Sequence, residues 1–457
     1  MNLKATIAII ICKLLRSFSR LVHRGGTAMP GRIALKFCPE LLSIVSKGVK
    51  TVAITGTNGK TTSSRMVEQA FLEQGKSYFA NRSGANLISG ITTEFVMNST
   101  LSGKCRKEYA VIECDEAAAR RVFPQLRPQV VVVTNLFRDQ LDRYGEVTHT
   151  LGNIRAALEP IPQAKLCLNA DCSLTSSLAL DLENPVVYFG IEKGAAPSRP
   201  KPEISDATHC IRCKAEYDYD YISYGHLGGF RCPCCGYSRR KADYAVTEIL
   251  SQGADSSSLI MDIRGEKHMV TVNLPAMYNI YNAIGAVAAV SEMGLGAQAA
   301  ISALGDFQCG FGRMERFQLG KGGARMMLVK NPAGCSQVIE FLENVREKFS
   351  LVVCLNDRSA DGTDISWIWD ADFEGLTKLS GRLENVLVSG DRASDMALRI
   401  KYAGIAPEHI QTERSYEKLV EWIERQEAPV FIMPTYTAML ELREVVISHC
   451  GGSEFWE

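Results

Sequence analysis

The chain has no excess charge of either sign: 51 lysines and arginines face 51 aspartates and glutamates over 457 residues. A neutral balance excludes the broad field with which nucleic-acid binders capture their targets, so partners must be recognised at local sites. Nor is there an apolar run long enough to span a bilayer. The nearest approach, M-N-L-K-A-T-I-A-I-I-I-C-K-L-L, is too short, and no small-residue cleavage site follows it. The expectation is a cytoplasmic protein. A basic helix carrying Lys13, Arg16, Arg20 and Arg24 would either pack on its own domain or rest peripherally at the inner face of the cell membrane. Internal repeats and long low-complexity tracts are also missing. With 46% hydrophobic residues, the chain has enough material for two or three ordinary cores.

Cysteine, by contrast, is plentiful. Most of the fifteen lie singly in apolar runs such as V-I-E-C and L-V-V-C-L-N, where they read as small buried hydrophobes. Four differ. After a loop-like stretch from 193 to 208 come Cys210-x-x-Cys213 and, after eighteen intervening residues, Cys232-x-x-Cys235-Gly236. Two such pairs on tight turns let four thiolates close a tetrahedron around Zn²⁺. Cys234 competes with Cys235, but the spacing and the following glycine favour the latter. No general base adjoins the knuckle, so the expected zinc is structural.

The chemistry is announced at residues 51 to 62, T-V-A-I-T-G-T-N-G-K-T-T. A β-branched run leads into Gly56, Thr57, Asn58, Gly59, Lys60, Thr61 and Thr62, and a helix-like stretch from Ser64 to Gln74 follows. Strand, glycine turn and helix start in that order build a phosphate cradle, because backbone N–H groups converge on an anion at the positive helix end. The two glycines stand closer together than in the most familiar P-loop. Lys60 still reaches the β- and γ-phosphates of ATP, and the Thr61 hydroxyl suits Mg²⁺.

The next strand, Tyr109 to Cys114, ends in V-I-E-C-D-E and puts Glu113, Asp115 and Glu116 at the carboxyl edge where α/β sheets bind ligands. Glu113 is the first choice for completing the Mg²⁺ site and Glu116 the second. A further run, V-V-V-V-T-N at 130 to 135, opens into L-F-R-D-Q-L-D-R-Y-G. Later, a helix rich in small residues carries Asn279 and Asn282 on one face. Either amide can read an adenine edge or serve as a cap.

Together, G-T-N-G-K-T-T, V-I-E-C-D-E, T-N-L-F-R-D-Q-L-D, N-I-Y-N-A-I-G-A and G-F-G-R-M-E-R resemble the Mur ligase superfamily, which also contains folylpolyglutamate synthases. The resemblance implies an α/β fold: a short helical segment (1–48), a central P-loop domain (49–305) with the zinc ribbon inserted at about 205–240, and a smaller Rossmann-like α/β domain (306–457) that closes on ATP. It also implies that a carboxylate is activated as an acyl phosphate, which an amine then attacks. Asn279 or Asn282 would meet the nucleotide, with Arg313 and Lys330 approaching from the last domain.

Three departures narrow the likeness. Too few residues precede the ATP domain for the full UDP-binding domain of muropeptide ligases; the ribbon interrupts the central domain; and V-K-N-P-A-G at 329–334 and L-N-D-R-S-A-D-G-T-D-I-S-W-I-W-D-A-D-F-E at 355–374 replace the usual text. These resemble the ligase subunits of two-component lipid II isoglutaminyl synthases. The implied reaction is ATP-dependent amidation of the D-glutamate α-carboxylate in the stem peptide of lipid II, a membrane-borne substrate. Ammonia would come from a GatD-like glutamine amidotransferase subunit in a heterodimer. An aspartate of the last domain would complete that partner's catalytic dyad, Asp364 first, Asp361 second, with Asp357 a third choice. Where many Mur ligases have Asp-His, this chain has Asp139-Gln140, which puts the usual second metal site in doubt. Cys309 reads as a linker residue, so the chain has no glutaminase nucleophile of its own. The rival expectations are a single-subunit amino-acid ligase and a nucleotide-switched scaffold.

Overall fold

The computed structural model describes residues 3–21, 28–82, 84–139, 147–200, 206–307, 312–379 and 381–451. Arg24, Gln140 and Cys309, singled out above, lie outside them.

A nine-stranded sheet organises the larger part. Strands β1 (Lys50–Thr55), β2 (Tyr78–Ala80), β3 (Tyr109–Glu113), β4 (Val130–Val133), β5 (Lys165–Asn169) and β6 (Val186–Ile191) run parallel in the order β6-β5-β4-β1-β3-β2. The central strands β1, β3 and β4 are almost wholly buried, as V-V-V-V and Y-A-V-I-E require: parallel strands covered on both faces read as continuous apolar runs. On the far side, β9 (Tyr244–Gln252) joins β6 in parallel, then pairs antiparallel with β10 (Ser257–Ile263), which pairs with β11 (Glu266–Val272). This antiparallel extension departs from the parallel pairing of the rest of the sheet. Its one exposed face gives polar alternation, as in Glu266–Val272, rather than a solid apolar run.

Between β6 and β9 the chain makes a separate hairpin, β7 (Asp218–Tyr224) and β8 (Leu227–Arg231), beside the four cysteines. Beyond the large sheet, six strands form a second one: β12 (Arg313–Phe317), β13 (Ala324–Met327), β14 (Phe349–Cys354), β15 (Leu383–Ser389), β16 (Ile410–Thr412) and β17 (Val430–Pro434). Their order is β12-β13-β17-β14-β15-β16, and only the β12–β13 pair is antiparallel. One hydrophobic core runs through the large sheet and onto one face of the small sheet; the other face of the small sheet has its own cluster around Val352, Leu387 and Leu442.

Before β1 come the helices α1 (Leu3–Leu21), α2 (Ala28–Phe37) and α3 (Leu41–Val45). They pack on the body through Ala8, Ile9, Cys12, Ala34, Leu41 and Leu42, all without solvent exposure. The contact between α2 and the helix Ile88–Met97 is close because residue 31 is glycine: a Cβ there would lie 1.9 Å from the Ser89 carbonyl oxygen, and the Gly31 N–H donates to Thr93 Oγ1 at 2.9 Å. Gly31→Val must push the two helices apart. It is expected to cost about 1–3 kcal/mol in chemical denaturation; an unchanged midpoint would show that α2 is not docked this way.

Candidate active site

The phosphate loop sits where the sheet order favours it, at the carboxyl end of β1 with β3 on one side and β4 on the other. Gly56 has φ +119°, and a Cβ there would strike Thr134 Oγ1 at 2.4 Å; Gly59 has φ +86°, and a Cβ would strike Asn282 Oδ1 at 2.0 Å. Only glycine fits either position. Gly59 caps the helix Lys60–Glu73, which begins four residues earlier than its apolar pattern suggests. Its free N–H groups therefore open into the loop, an arrangement that suits a nucleotide's phosphates.

Lys60 is buried at this helix start. Its ammonium donates to the carbonyls of Gly56 and Thr57 and to Glu116 Oε1 at 2.7 Å. Burial alone would lower its pKa, but Glu116 and then Glu113 outweigh it, and the net shift is upward. Burial raises the Glu116 carboxyl against the pull of Lys60. The three carboxylates after β3 take separate posts. Glu113 Oε2 accepts from Thr61 Oγ1 at 2.8 Å, Glu116 holds Lys60, and Asp115 caps the helix Glu116–Leu126 through Ala117 N and Ala118 N. Thr61 and Glu113 thus form a hydroxyl-carboxylate pair beside the cradle, an oxygen donor set that suits Mg²⁺.

Asn279 and Asn282 face the same loop from the helix Met277–Glu292, joined by Asn282 Nδ2 donating to Asn279 Oδ1 at 3.2 Å. They line a cleft together with Asn58, Tyr224, Tyr278 and Arg313. Met327, Leu328 and Val338 of the second sheet unit form its other wall. The cleft thus lies between the two units.

Several contacts across this gap escaped the sequence reading. Lys330 Nζ pairs with Asp139 Oδ2 at 2.7 Å, and Asn331 Nδ2 donates to Asn58 Oδ1 at 3.0 Å and to Asp139 Oδ1 at 3.4 Å. Burial works against ionisation of Asp139, but Lys330 more than offsets it and the pKa falls below the ordinary carboxylate value. In the sequence Asp139 stands out only for the glutamine that follows it in place of a histidine, yet it ties the second unit to the phosphate loop.

The aspartates after β14 separate clearly. Asp361 is buried, and its two oxygens accept from Thr437 N and Thr437 Oγ1, holding the start of the helix Tyr436–Cys450. Asp364 is partly exposed and accepts from Ser366 N at 2.8 Å, which holds its pKa below the usual range. Asp357 pairs with Arg392 at 3.1 Å.

Cys210, Cys213, Cys232 and Cys235 gather with all four sulfurs within 4.8 Å of one another, while Cys234 is exposed and stands outside the group. Four sulfurs bound to one metal at about 2.3 Å would sit roughly 3.8 Å apart. Here Cys210–Cys235 measures 3.6 Å and Cys213–Cys232 3.4 Å, so the cluster fits a metal ion. The ribbon is anchored next to the cleft. Tyr224, at the end of β7, stacks on Phe137 with ring centroids 5.1 Å apart, and His226 lies 4.5 Å from the same ring. Phe137 in turn exchanges two hydrogen bonds with Thr57 Oγ1, both 3.1 Å. His226 Nε2 also stands 3.6 Å from Cys172 Sγ; burial raises that thiol, but the imidazole brings it below its ordinary value.

Because the folded Asp139 pKa is depressed, its contribution is present above the unfolded value of about 4 and is lost as pH falls through the lower folded value. Asp139→Asn should therefore cost about 1–2 kcal/mol at neutral pH, a figure reduced because Lys330 is 35% exposed. It should also flatten the acid limb of the stability curve. Denaturation of both proteins from neutral to acid pH checks this, and identical curves would remove the ion pair from the account.

Residues 54–290 match the Mur ligase middle domain family and residues 328–439 the MurT ligase C-terminal family. The chain is 34% identical over 449 residues to the MurT subunit of lipid II isoglutaminyl synthase (glutamine-hydrolyzing) from Streptococcus pneumoniae, covering 98% of each chain. It is also 34% identical to the MurT subunit from Staphylococcus aureus, with 96% of each covered. Among solved structures, MurF from Acinetobacter baumannii superposes with a TM-score of 0.65 at 14% identity, over 91% of this chain and 80% of that one. Folylpolyglutamate synthase from Mycobacterium tuberculosis superposes at 0.61 and 14% identity, over 92% and 98%. These structures share the fold. With its phosphate loop at the head of a Mur ligase sheet and near full-length similarity to the two curated subunits, the chain belongs to the MurT family of ligase subunits within the Mur ligases.

Proposed function

We propose that the chain amidates the α-carboxylate of D-glutamate in the stem peptide of lipid II, giving D-isoglutamine, and works at the inner face of the cell membrane. The observation that carries this reading is the buried Lys60 in a phosphate loop whose cleft is walled by a second α/β unit, in a chain of the MurT family. In this scheme residues 49–305 form the ATP domain and 306–457 the domain that closes on it and docks a GatD-like glutaminase.

A carboxylate oxygen attacks the γ-phosphorus of ATP, ADP leaves, and an acyl phosphate forms. Lys60 and Arg313 spread the charge of the transferring group. Thr61 and Glu113 would hold Mg²⁺, which neutralises phosphate charge when bound. Ammonia then adds to the acyl carbon, inorganic phosphate departs, and the amine proton passes to solvent or a neighbouring base. The second unit, held to the loop by Lys330–Asp139 and Asn331–Asn58, shields the acyl phosphate from water. The four cysteines would bind a structural Zn²⁺. Asp364, partly exposed on its turn, is the carboxylate suited to orient an imidazole of the partner; Asp361 is committed to Thr437.

The test uses the chain co-purified with its glutaminase neighbour, given lipid II, glutamine and ATP, with stem peptides read by mass spectrometry. The expected product has one OH replaced by NH₂, and Lys60→Ala lowers its rate by roughly 10²-fold or more. Amidation without ATP contradicts the reading. Product formed by the chain alone with a free amino acid would instead identify a single-subunit amino-acid ligase.

A further inference from the structure

The helix α1 has two apolar faces, and only one of them is used. Ala5, Ala8, Ile9 and Cys12 are buried against the body. On the opposite side Leu3, Ile7, Ile10, Leu14 and Phe18 are exposed by 70, 44, 38, 66 and 66%. At 100° per residue these five fall within an arc of about 80°, a straight stripe along a helix about 28 Å long. The adjoining α2 adds exposed Met29 and Phe37. So many large side chains in solvent on one element mark a contact surface rather than scattered exposure.

Charge says what the surface meets. The chain as a whole is neutral, yet residues 1–39 contain seven lysines and arginines and no aspartate or glutamate. Lys4, Arg32 and Lys36 are exposed, and Lys13 is partly so, its ammonium donating to the Ser99 carbonyl at 2.6 Å. Protein interface cores are depleted in lysine, and a second copy of this chain would bring two cationic faces together. An anionic bilayer satisfies both features at once, since the apolar stripe enters the acyl boundary while the cations stay among headgroups. No helix among the described residues is long and apolar enough to cross a membrane, which fits a helix lying in the interface plane.

We infer that the exposed face of α1, with the basic residues around it, docks the protein on an anionic lipid surface. The inference rests on the reading that the substrate is carried by a membrane lipid, and it names the surface that brings the cleft to it.

The experiment is co-sedimentation of the full chain, with its partner if they co-purify, on vesicles of phosphatidylcholine with phosphatidylglycerol and of phosphatidylcholine alone, neither containing substrate. Wild type should sediment with the anionic vesicles, and less so in high salt. Leu14→Glu with Phe18→Glu should lower the partition coefficient roughly tenfold or more. Lys4→Glu with Arg32→Glu and Lys36→Glu should remove the preference for anionic lipid. Both variants should keep the wild-type melting temperature and amidate detergent-dispersed substrate normally, which separates failure of docking from failure of the amidation reading. Wild type remaining in the supernatant, or apolar variants sedimenting like wild type, overturns the inference. So does a lipid-free dimer that becomes monomeric on Leu14→Glu with Phe18→Glu, which would make a second copy the occupant.

Discussion

The site depends on one buried cation. Lys60 and Glu116 are 9% and 5% exposed, and they meet at 2.7 Å beneath the phosphate loop. Taking both charges out of water costs as much as their attraction returns, so such a pair adds little to stability. Its value is positional. The ammonium is fixed by the carbonyls of Gly56 and Thr57 as well as by Glu116, at the place where the helix opens its N–H groups. In the proposed reaction, phosphate oxygens arriving there would meet an ammonium whose orientation has already been set.

Every surrounding element either supports this loop or covers it. Strand β3 brings Glu113 to Thr61, and β4 leads into the segment that carries Asn135, whose amide oxygen accepts from Asn58 N at 3.0 Å. The ribbon hairpin backs that segment by stacking Tyr224 on Phe137 and packing His226 at a tilt against the same ring. A second anchor lies behind the ribbon, where Arg239 and Tyr281 share the buried Asp171 at 2.6 and 2.7 Å. Tyr281 belongs to the helix that also carries Asn279 and Asn282. The cysteine cluster therefore bears on the cleft through packed rings and a buried ion pair, without lining it.

What could be read from residue order was local. The glycines of the loop reveal themselves because their backbone geometry is needed within a few residues, and the paired cysteines because each pair sits on its own turn. The acidic stretch after β3 was equally open to reading, although only three-dimensional packing assigns Glu113 to Thr61 and Glu116 to Lys60. Asp139 and Asn331 stayed hidden because they are 192 residues apart and no pattern in either neighbourhood points to the other. The antiparallel strands β10 and β11 were lost for a similar reason: half-exposed strands lack the solid apolar run that marks the parallel core. Asp361 and Asp364 look interchangeable in A-D-G-T-D-I-S; burial under Thr437 separates them.

The central claim is that the carboxylate itself is phosphorylated before nitrogen arrives. The most direct measurement labels both carboxylate oxygens of the substrate with ¹⁸O and follows them in the inorganic phosphate released during amidation. The account predicts one ¹⁸O in each phosphate per amide formed. Unlabelled phosphate, released while labelled amide accumulates, would contradict it.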